Sequence, residues 1–310
     1  MANSNFSYRL GFDGGGTKTR AVVVDSQLNI LGAGESGSSN PYAVGMDTAI
    51  DNIVMAADGA LAQVGLGREA IGGWGLGLGG VCSPSESADV EAALRARLGE
   101  GPRLVAVEDV VSAWSGAFGG EVGELPRAVC IAGTGANCWG QNGRGETASA
   151  DGLGPLLGDR GSGYWIGEAA LRHAGRVADG VVPADDFAAA VLAHFEAEDI
   201  KALIRLVYAP DFQRSAIAGL VPVVLAHAQS GAARGILEAA GREMAATALA
   251  VLRQLSGEGE VRGEVALIGG VLAYAEPMTS AFNAVLAQEA PGVRLVEAKY
   301  EPAVGAALLV

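Results

Sequence analysis

The stretch GFDGGGTKT, Gly11 to Thr19, ends an apolar strand and then sets a carboxylate, three glycines, a hydroxyl and an ammonium in one turn. Glycine lets the backbone come close to a polyphosphate and aim N–H groups at it. Gly14, Gly15 and Gly16 would do so here, Thr17 can donate to a phosphate oxygen, Lys18 adds positive charge, and Asp13 suits a hydrated magnesium ion. The same residues also read as a glycine-rich hairpin turn with no ligand. The G-x-x-x-x-G-K-[ST] spacing of a P-loop is absent, and a strand rather than a helix follows, so neither a P-loop nor a Rossmann dinucleotide site fits.

Outward from this turn, apolar residues from Tyr8 to Glu35 alternate in short β-branched runs, broken by DGGGT and by Asp25 to Asn29. That pattern predicts three antiparallel strands. Met46 to Val64 has helical periodicity, Gly72 to Gly79 reads as a buried strand, Glu86 to Leu98 as a helix and Leu104 to Val107 as a strand. After Asp109 the pattern restarts with a helix to about Phe118, then strands at Ala128 to Ala132 and Asn137 to Gly140, then a glycine-rich connection ending near Ser162. Tyr164 to Leu255 is mostly helical, and a strand, a helix, a strand at Val293 to Val296 and a last helix from Pro302 close the chain. A length of 310 residues suits two α/β domains. We draw them as 1–107 and 108–310, with a helical insertion in the second and a final helix able to return to the first.

The restart carries a second turn of the same kind. IAGTGANCWG, Ile131 to Gly140, puts Gly133, Thr134 and Gly135 between two strands. Two hairpins that each offer a glycine turn can clamp a phosphate chain from both sides, which places the expected active site between the two halves. Between the turns lies LVAVEDVVSAW, with Glu108 and Asp109 at the start of a helix. Such acids cap helix N-termini, and a carboxylate here would equally serve to accept the proton of an attacking hydroxyl. The stretch DGLGPLLGDRGSGYWIG, Asp151 to Gly167, reads as a connection or as a substrate loop ahead of a helix. In LIGGVLA, Leu267 to Ala273, the double glycine would let a flat adenine ring lie against the backbone.

Composition removes several classes. The net charge of -14, without a dense Lys/Arg run, repels a nucleic-acid backbone or an anionic membrane. No stretch reads as a signal peptide or a membrane span, so the expected protein is cytoplasmic and unprocessed. Cys82, Cys130 and Cys138 have neither disulfide-framework nor zinc-ribbon spacing. His173, His194 and His227 lack i, i+4 partners and read as packing or surface residues.

Taken in order, GFDGGGTKT, VEDVVSAW, IAGTGANCWG, GPLLGDRGSGYWIG and LIGGVLA resemble the N-acetylglucosamine kinase branch of the BadF/BadG/BcrA/BcrD-type ATPases, in the superfamily of hexokinases and actin. The resemblance implies two ribonuclease-H-like, actin-like ATPase domains with an interdomain cleft, ATP with Mg2+ as cofactors, and phosphoryl transfer to the 6-hydroxyl of an amino sugar. By the same resemblance Asp109 corresponds to the catalytic base. Asp13 to Lys18 match the first phosphate loop, with Asp13 near the metal, and Gly133 to Gly135 the second. Gly269 and Gly270 match the adenosine turn, and Asn40, Gly154 and Asp159 match sugar-contacting positions. A homodimer is among the assemblies the resemblance implies.

Two residues depart from the pattern GWGPLLGDEGS that many members carry: Leu153 stands for its Trp and Arg160 for its Glu. The first bears on recognition of the N-acyl group, and the second either admits an acidic substituent or pairs with a neighbouring carboxylate. The alternatives to an N-acetylglucosamine kinase are therefore a glucosamine or N-acetylmuramic acid kinase, or a non-kinase ATPase that activates another enzyme.

Overall fold

A computed structural model describes residues 7–99, 101–213, 215–270 and 276–310. The chain forms two compact units, Met1–Val122 with Glu297–Val310, and Gly123–Val296.

In the first unit β1 (Tyr8–Gly14), β2 (Thr19–Asp25) and β3 (Ile30–Ser36) form the antiparallel meander that the alternating pattern predicted. β4 (Ile71–Leu78) and β5 (Arg103–Glu108) extend the sheet in parallel on the other side of β1, giving the order β3-β2-β1-β4-β5. Every residue of β4 is buried, the signature of a strand covered on both faces. Alternate residues of β2 serve the two faces. Ala21 and Val23 join the core under α2 (Met46–Val64) and α3 (Pro84–Leu98), while Val22 and Val24 pack on Ala303, Val304 and Ala307 of α12 (Pro302–Ala307).

The backbone of α12 lies directly on the sheet. A Cβ at Gly11 of β1 would sit 1.9 Å from Ala303 O, and one at Gly75 of β4 1.9 Å from Ala306 O, so only glycine admits this approach. The same helix packs on α4 (Asp109–Phe118), where a Cβ at Gly305 would lie 2.3 Å from Gly116 N. By contact the first unit runs on past Val107 to Val122: β5 runs into α4 without a linker, and α4 folds back beside β4 and α12.

The second unit repeats this topology strand for strand. β6 (Arg127–Ala132), β7 (Ala136–Gln141) and β8 (Thr147–Asp151) form a meander, and β9 (Arg262–Ile268) and β10 (Gly292–Val296) add in parallel beyond β6, giving β10-β9-β6-β7-β8. The duplicated five-stranded sheet is the α/β architecture expected of two ribonuclease-H-like domains. β8 lies within the stretch expected to be a glycine-rich connection, since its TASAD sequence carries no long apolar residue to signal a strand. Seven helices among the described residues complete this unit: α5 (Gly163–Ala178), α6 (Asp186–His194), α7 (Ile200–Val207), α8 (Ser215–Ala218), α9 (Val221–Ala226), α10 (Gly231–Ser256) and α11 (Glu276–Glu289); α10 packs along β6 to β9 and α11 against β10, while α6 to α9 gather on α5. α10 and α11 pack against each other over a core that includes Leu237, Met244, Leu252, Met278 and Phe282.

His173 bonds Asp185 Oδ2 at 2.9 Å and stacks on Phe187, the packing role its spacing suggested. Among the described residues no three His, Cys, Asp or Glu side chains form a metal cage, and no single helix is long and apolar enough to cross a membrane.

Candidate active site

In the first unit β1, β4 and β5 run parallel, so their C-terminal ends emerge at one edge: Asp13 is opposite Gly77, and Leu78 is opposite both Gly14 and Glu108. This edge is where parallel α/β sheets bind ligands. After β1 the chain reverses tightly, with Gly15 N donating to Lys18 O at 3.0 Å and Gly79 N donating to Gly14 O at 2.7 Å. Gly16, Thr17 and Lys18 are exposed, and a Cβ at Gly15 or Gly16 would meet nothing within 4 Å. The turn therefore has open space beside its backbone. Lys18 pairs with Glu35 at 3.6 Å, but both side chains are largely solvated and the pair holds weakly.

The β3–α1 connection lies against this turn, α1 being Pro41–Val44. Thr19 Oγ1 donates to Gly37 O at 2.8 Å, Ser38 Oγ donates to Gly15 O at 2.9 Å, and a Cβ at Gly14 would sit 2.0 Å from Ser39 Oγ. Asn40 follows, its Oδ1 accepting from Tyr42 N at 2.9 Å to cap α1. Gly80, with φ of 88°, sits where a Cβ would be 2.4 Å from that Oδ1. Asn40 thus borders the same strand ends as the Gly15 turn.

Asp109 opens α4, and its pKa is pushed up to about 6 by burial first, then by the charges of Asp13 and Glu108. A Cβ at Gly79 would lie 3.2 Å from Asp109 Oδ2 and 3.6 Å from Gly15 Cα, so the carboxylate and the turn flank one glycine. A carboxyl that ionises near neutrality is suited to general-base work. Glu108, the N-cap, makes no side-chain capping bond. Asp13 is also raised, by burial and then by Glu301, against the opposing charges of Lys18 and Arg20. Arg20 holds Glu301 at 3.1 Å. Ser38, Ser39, Gly79 and Glu301 were not singled out in the sequence; only Gly79, in a GLGG strand end, carries a local signal of the kind that marked the other turns.

In the second unit Gly133 N donates to Gly135 O at 2.9 Å, closing the turn between β6 and β7. The start of α5 is spent on it: Gly163 N donates to Gly133 O at 2.8 Å and Tyr164 N to Thr134 O at 3.1 Å. Gly269 follows β9, whose Ile268 pairs with Ile131, and at φ of 119° a Cβ there would sit 2.1 Å from Ala132 O. The double glycine thus borders the Gly133 turn, and Gly270 faces open space. The rest of the LIGGVLA stretch, 271–273, lies outside the described residues.

Asp159 belongs to the same cluster. Its Oδ1 accepts from Ala136 N at 3.0 Å, and burial raises its pKa, with Asp151 adding to the rise and the Ala136 bond opposing it. Gly154, at φ of 75°, starts a turn in which Gly158 N donates to Gly154 O at 2.8 Å, and the loop exposes Leu153, Leu156 and Leu157. The predicted residues therefore gather in two groups, Asp13 to Lys18 with Asn40 and Asp109 on the first unit, and Gly133 to Gly135 with Gly154, Asp159, Gly269 and Gly270 on the second.

The sequence pattern of the BadF/BadG/BcrA/BcrD ATPase family matches residues 10–310. The chain is 29% identical over 310 residues to the N-acetyl-D-glucosamine kinase of Dictyostelium discoideum, covering 97% of this chain and 96% of the other. It is 26% identical to the N-acetylmuramic acid/N-acetylglucosamine kinase of Clostridium acetobutylicum, covering 97% of each. A solved structure from Chromobacterium violaceum, provisionally named an N-acetylglucosamine kinase, superimposes with a TM-score of 0.78 at 28% identity, covering 98% of this chain and 99% of that one.

Proposed function

Because the chain belongs to the BadF/BadG/BcrA/BcrD ATPase family, we propose that it is an ATP-dependent kinase that phosphorylates the 6-hydroxyl of N-acetylglucosamine. The observation that carries the reading is Asp109, a carboxylate with a pKa of about 6 lying across Gly79 from the Gly15 turn. A module that only bound ATP would have no use for a base tuned to this range.

In this reading Asp109 accepts the proton of the sugar hydroxyl as that oxygen attacks the γ-phosphorus. The N–H groups of Gly14 to Gly16, with Thr17 and Lys18, hold phosphate oxygens. Gly133 to Gly135 supply the second phosphate turn, and Gly269 and Gly270 give the adenosine a flat backbone seat. Asn40, Gly154 and Asp159 orient the sugar. Asp13 fits a magnesium ion, since its carboxylate is short of water and repelled by Glu301, and Mg2+ typically takes one or two carboxylates beside waters and phosphates. Bound there, the ion would supply charge neutralisation for the phosphates. An enzyme that spends ATP on a free sugar belongs in the cytoplasm.

Arg160 bears on the choice of sugar. Its guanidinium lies 3.7 Å from Asp151 Oδ2 and donates to Leu157 O at 3.4 Å, so its charge is partnered within its own loop. That favours a neutral N-acyl sugar over an acidic one, and the exposed Leu153 offers apolar surface to an acyl group. The activator reading is weaker, because an iron–sulfur cluster needs reachable thiolates and Cys130 and Cys138 are buried against each other across β6 and β7.

The test is ADP release from magnesium-ATP with glucose, glucosamine, N-acetylglucosamine, N-acetylmannosamine and N-acetylmuramic acid. Preference for N-acetylglucosamine is expected. Preference for N-acetylmuramic acid would overturn the assignment of Arg160, and no sugar-dependent ADP release at all would overturn the kinase reading.

A further inference from the structure

We propose that Asp151 is a positioning residue: its carboxylate fixes the backbone of Asp159 and so aims the Asp159 side chain at the sugar. The inference rests on the kinase reading, with Asp159 as a sugar contact.

Asp151 ends β8, and its side chain is only 1% exposed. Each of its oxygens is committed to the chain eight or nine residues on. Oδ1 accepts from Asp159 N at 2.6 Å, and Oδ2 accepts from Arg160 N at 2.8 Å with the Arg160 guanidinium 3.7 Å away. Hydrogen bonds to a carboxylate are among the strong ones, and breaking them in a buried site is costly.

The backbone that Asp151 holds is one that a non-glycine residue rarely adopts. Asp159 has φ of 55° and Asp151 itself 76°, two of the four non-glycine residues with positive φ among those described. Strain of this sort persists when the surroundings over-determine it, and it gathers at binding sites. Here the determination is mutual. With its backbone fixed by Asp151 and its Oδ1 fixed by Ala136 N, the Asp159 carboxylate keeps Oδ2 outside these bonds among the described residues, and that oxygen is the one to meet a hydroxyl. Gly158 completes the arrangement, since a Cβ there would lie 2.1 Å from Asp151 Oδ1. The departure at position 160 follows from the same geometry: a buried Asp at 151 calls for a cation beside it, and Arg160 supplies one.

The experiment measures kcat and both KM values for the parent, Asp151→Asn and Gly158→Ala, with thermal melts of each. Asn puts an N–H2 against one of two N–H donors, whereas Gly158→Ala displaces the carboxylate without altering it. In both variants the sugar KM should rise about ten- to a hundred-fold, the cost of a misplaced contact. The ATP KM should stay within about two-fold, because the Gly133–Gly135 turn keeps its own hydrogen bonds to α5. If Asp151→Asn fails to fold, Gly158→Ala decides. An unchanged sugar KM, or an even loss of both KM values with a lowered melting temperature, would make Asp151 merely structural and overturn the proposal. A parent without sugar-dependent turnover would instead remove the kinase reading, and this inference with it.

Discussion

Replacing Asp109 by Asn keeps the shape of the side chain and removes its charge, and the structure sets activity and stability moving in opposite directions. Burial, followed by Asp13 and Glu108, raises the carboxyl from 3.8 to about 6. A raised carboxyl binds protons more readily in the folded than in the unfolded chain, so its stability contribution is present below pH 4 and is lost as pH rises through about 6. Two pKa units correspond to about 3 kcal/mol, an upper figure for a part-exposed group that water still screens. The Asn variant has no such charge to bury. It should melt several degrees above the parent at pH 8, since about 1 kcal/mol moves a domain of this size by roughly 2–4 °C, and should match it at pH 4. Turnover should fall about 10²- to 10⁴-fold, the usual worth of a general base, with ATP binding retained. In the parent, kcat/KM for the sugar should climb with pH and level off above about 6. Coupled-enzyme kinetics and melts at the two pH values test both halves. Turnover within ten-fold of the parent would refute the assigned base, and an equal melting gap at pH 4 and pH 8 would refute the electrostatic argument.

Gly11→Ala puts a methyl group 1.9 Å from Ala303 O and 2.8 Å from Ala307 N, both backbone atoms, so it should cost about 3 kcal/mol or more in urea unfolding; a loss below about 1 kcal/mol would contradict the close seating of α12. In a thiol titration, the exposed Cys82 should react in the native protein, slowed by burial and nearby carboxylates that raise its pKa, while Cys130 and Cys138 should react only after denaturation. Three fast thiols would mean that the β6–β7 hairpin opens readily.

What the sequence disclosed and what it withheld divide along a physical line. The two glycine turns, the meander of β1 to β3 and the placement of Asp109 at a strand-to-helix junction were legible because each is encoded within about ten residues, by period, by φ demands or by a cap. β8 was not, since an edge strand of Thr, Ala, Ser and Asp shows no apolar alternation. The extent of the first unit is set by contact, which composition does not display. α4 joins the first unit through Gly116 and Gly305, far apart in the chain, where two helices touch backbone to backbone.

The site shows the same division. Asp13 was recognisable from its turn, but its raised pKa comes from burial first and then from Glu301, which stands at the start of the α12 that seats on Gly11 and Gly75. The glycines that admit α12 therefore act on the electrostatics of Asp13 as well as on stability. Asp159 was likewise visible in GDRGSGYWIG, whereas the carboxylate that fixes its backbone sits at the end of the strand the sequence did not reveal. In both places the residue that would touch the ligand is marked by its motif, and nothing local marks the role of the residue that tunes or orients it. The tuning residue has only to arrive at the right distance, which is a property of the packed fold rather than of any short stretch of chain.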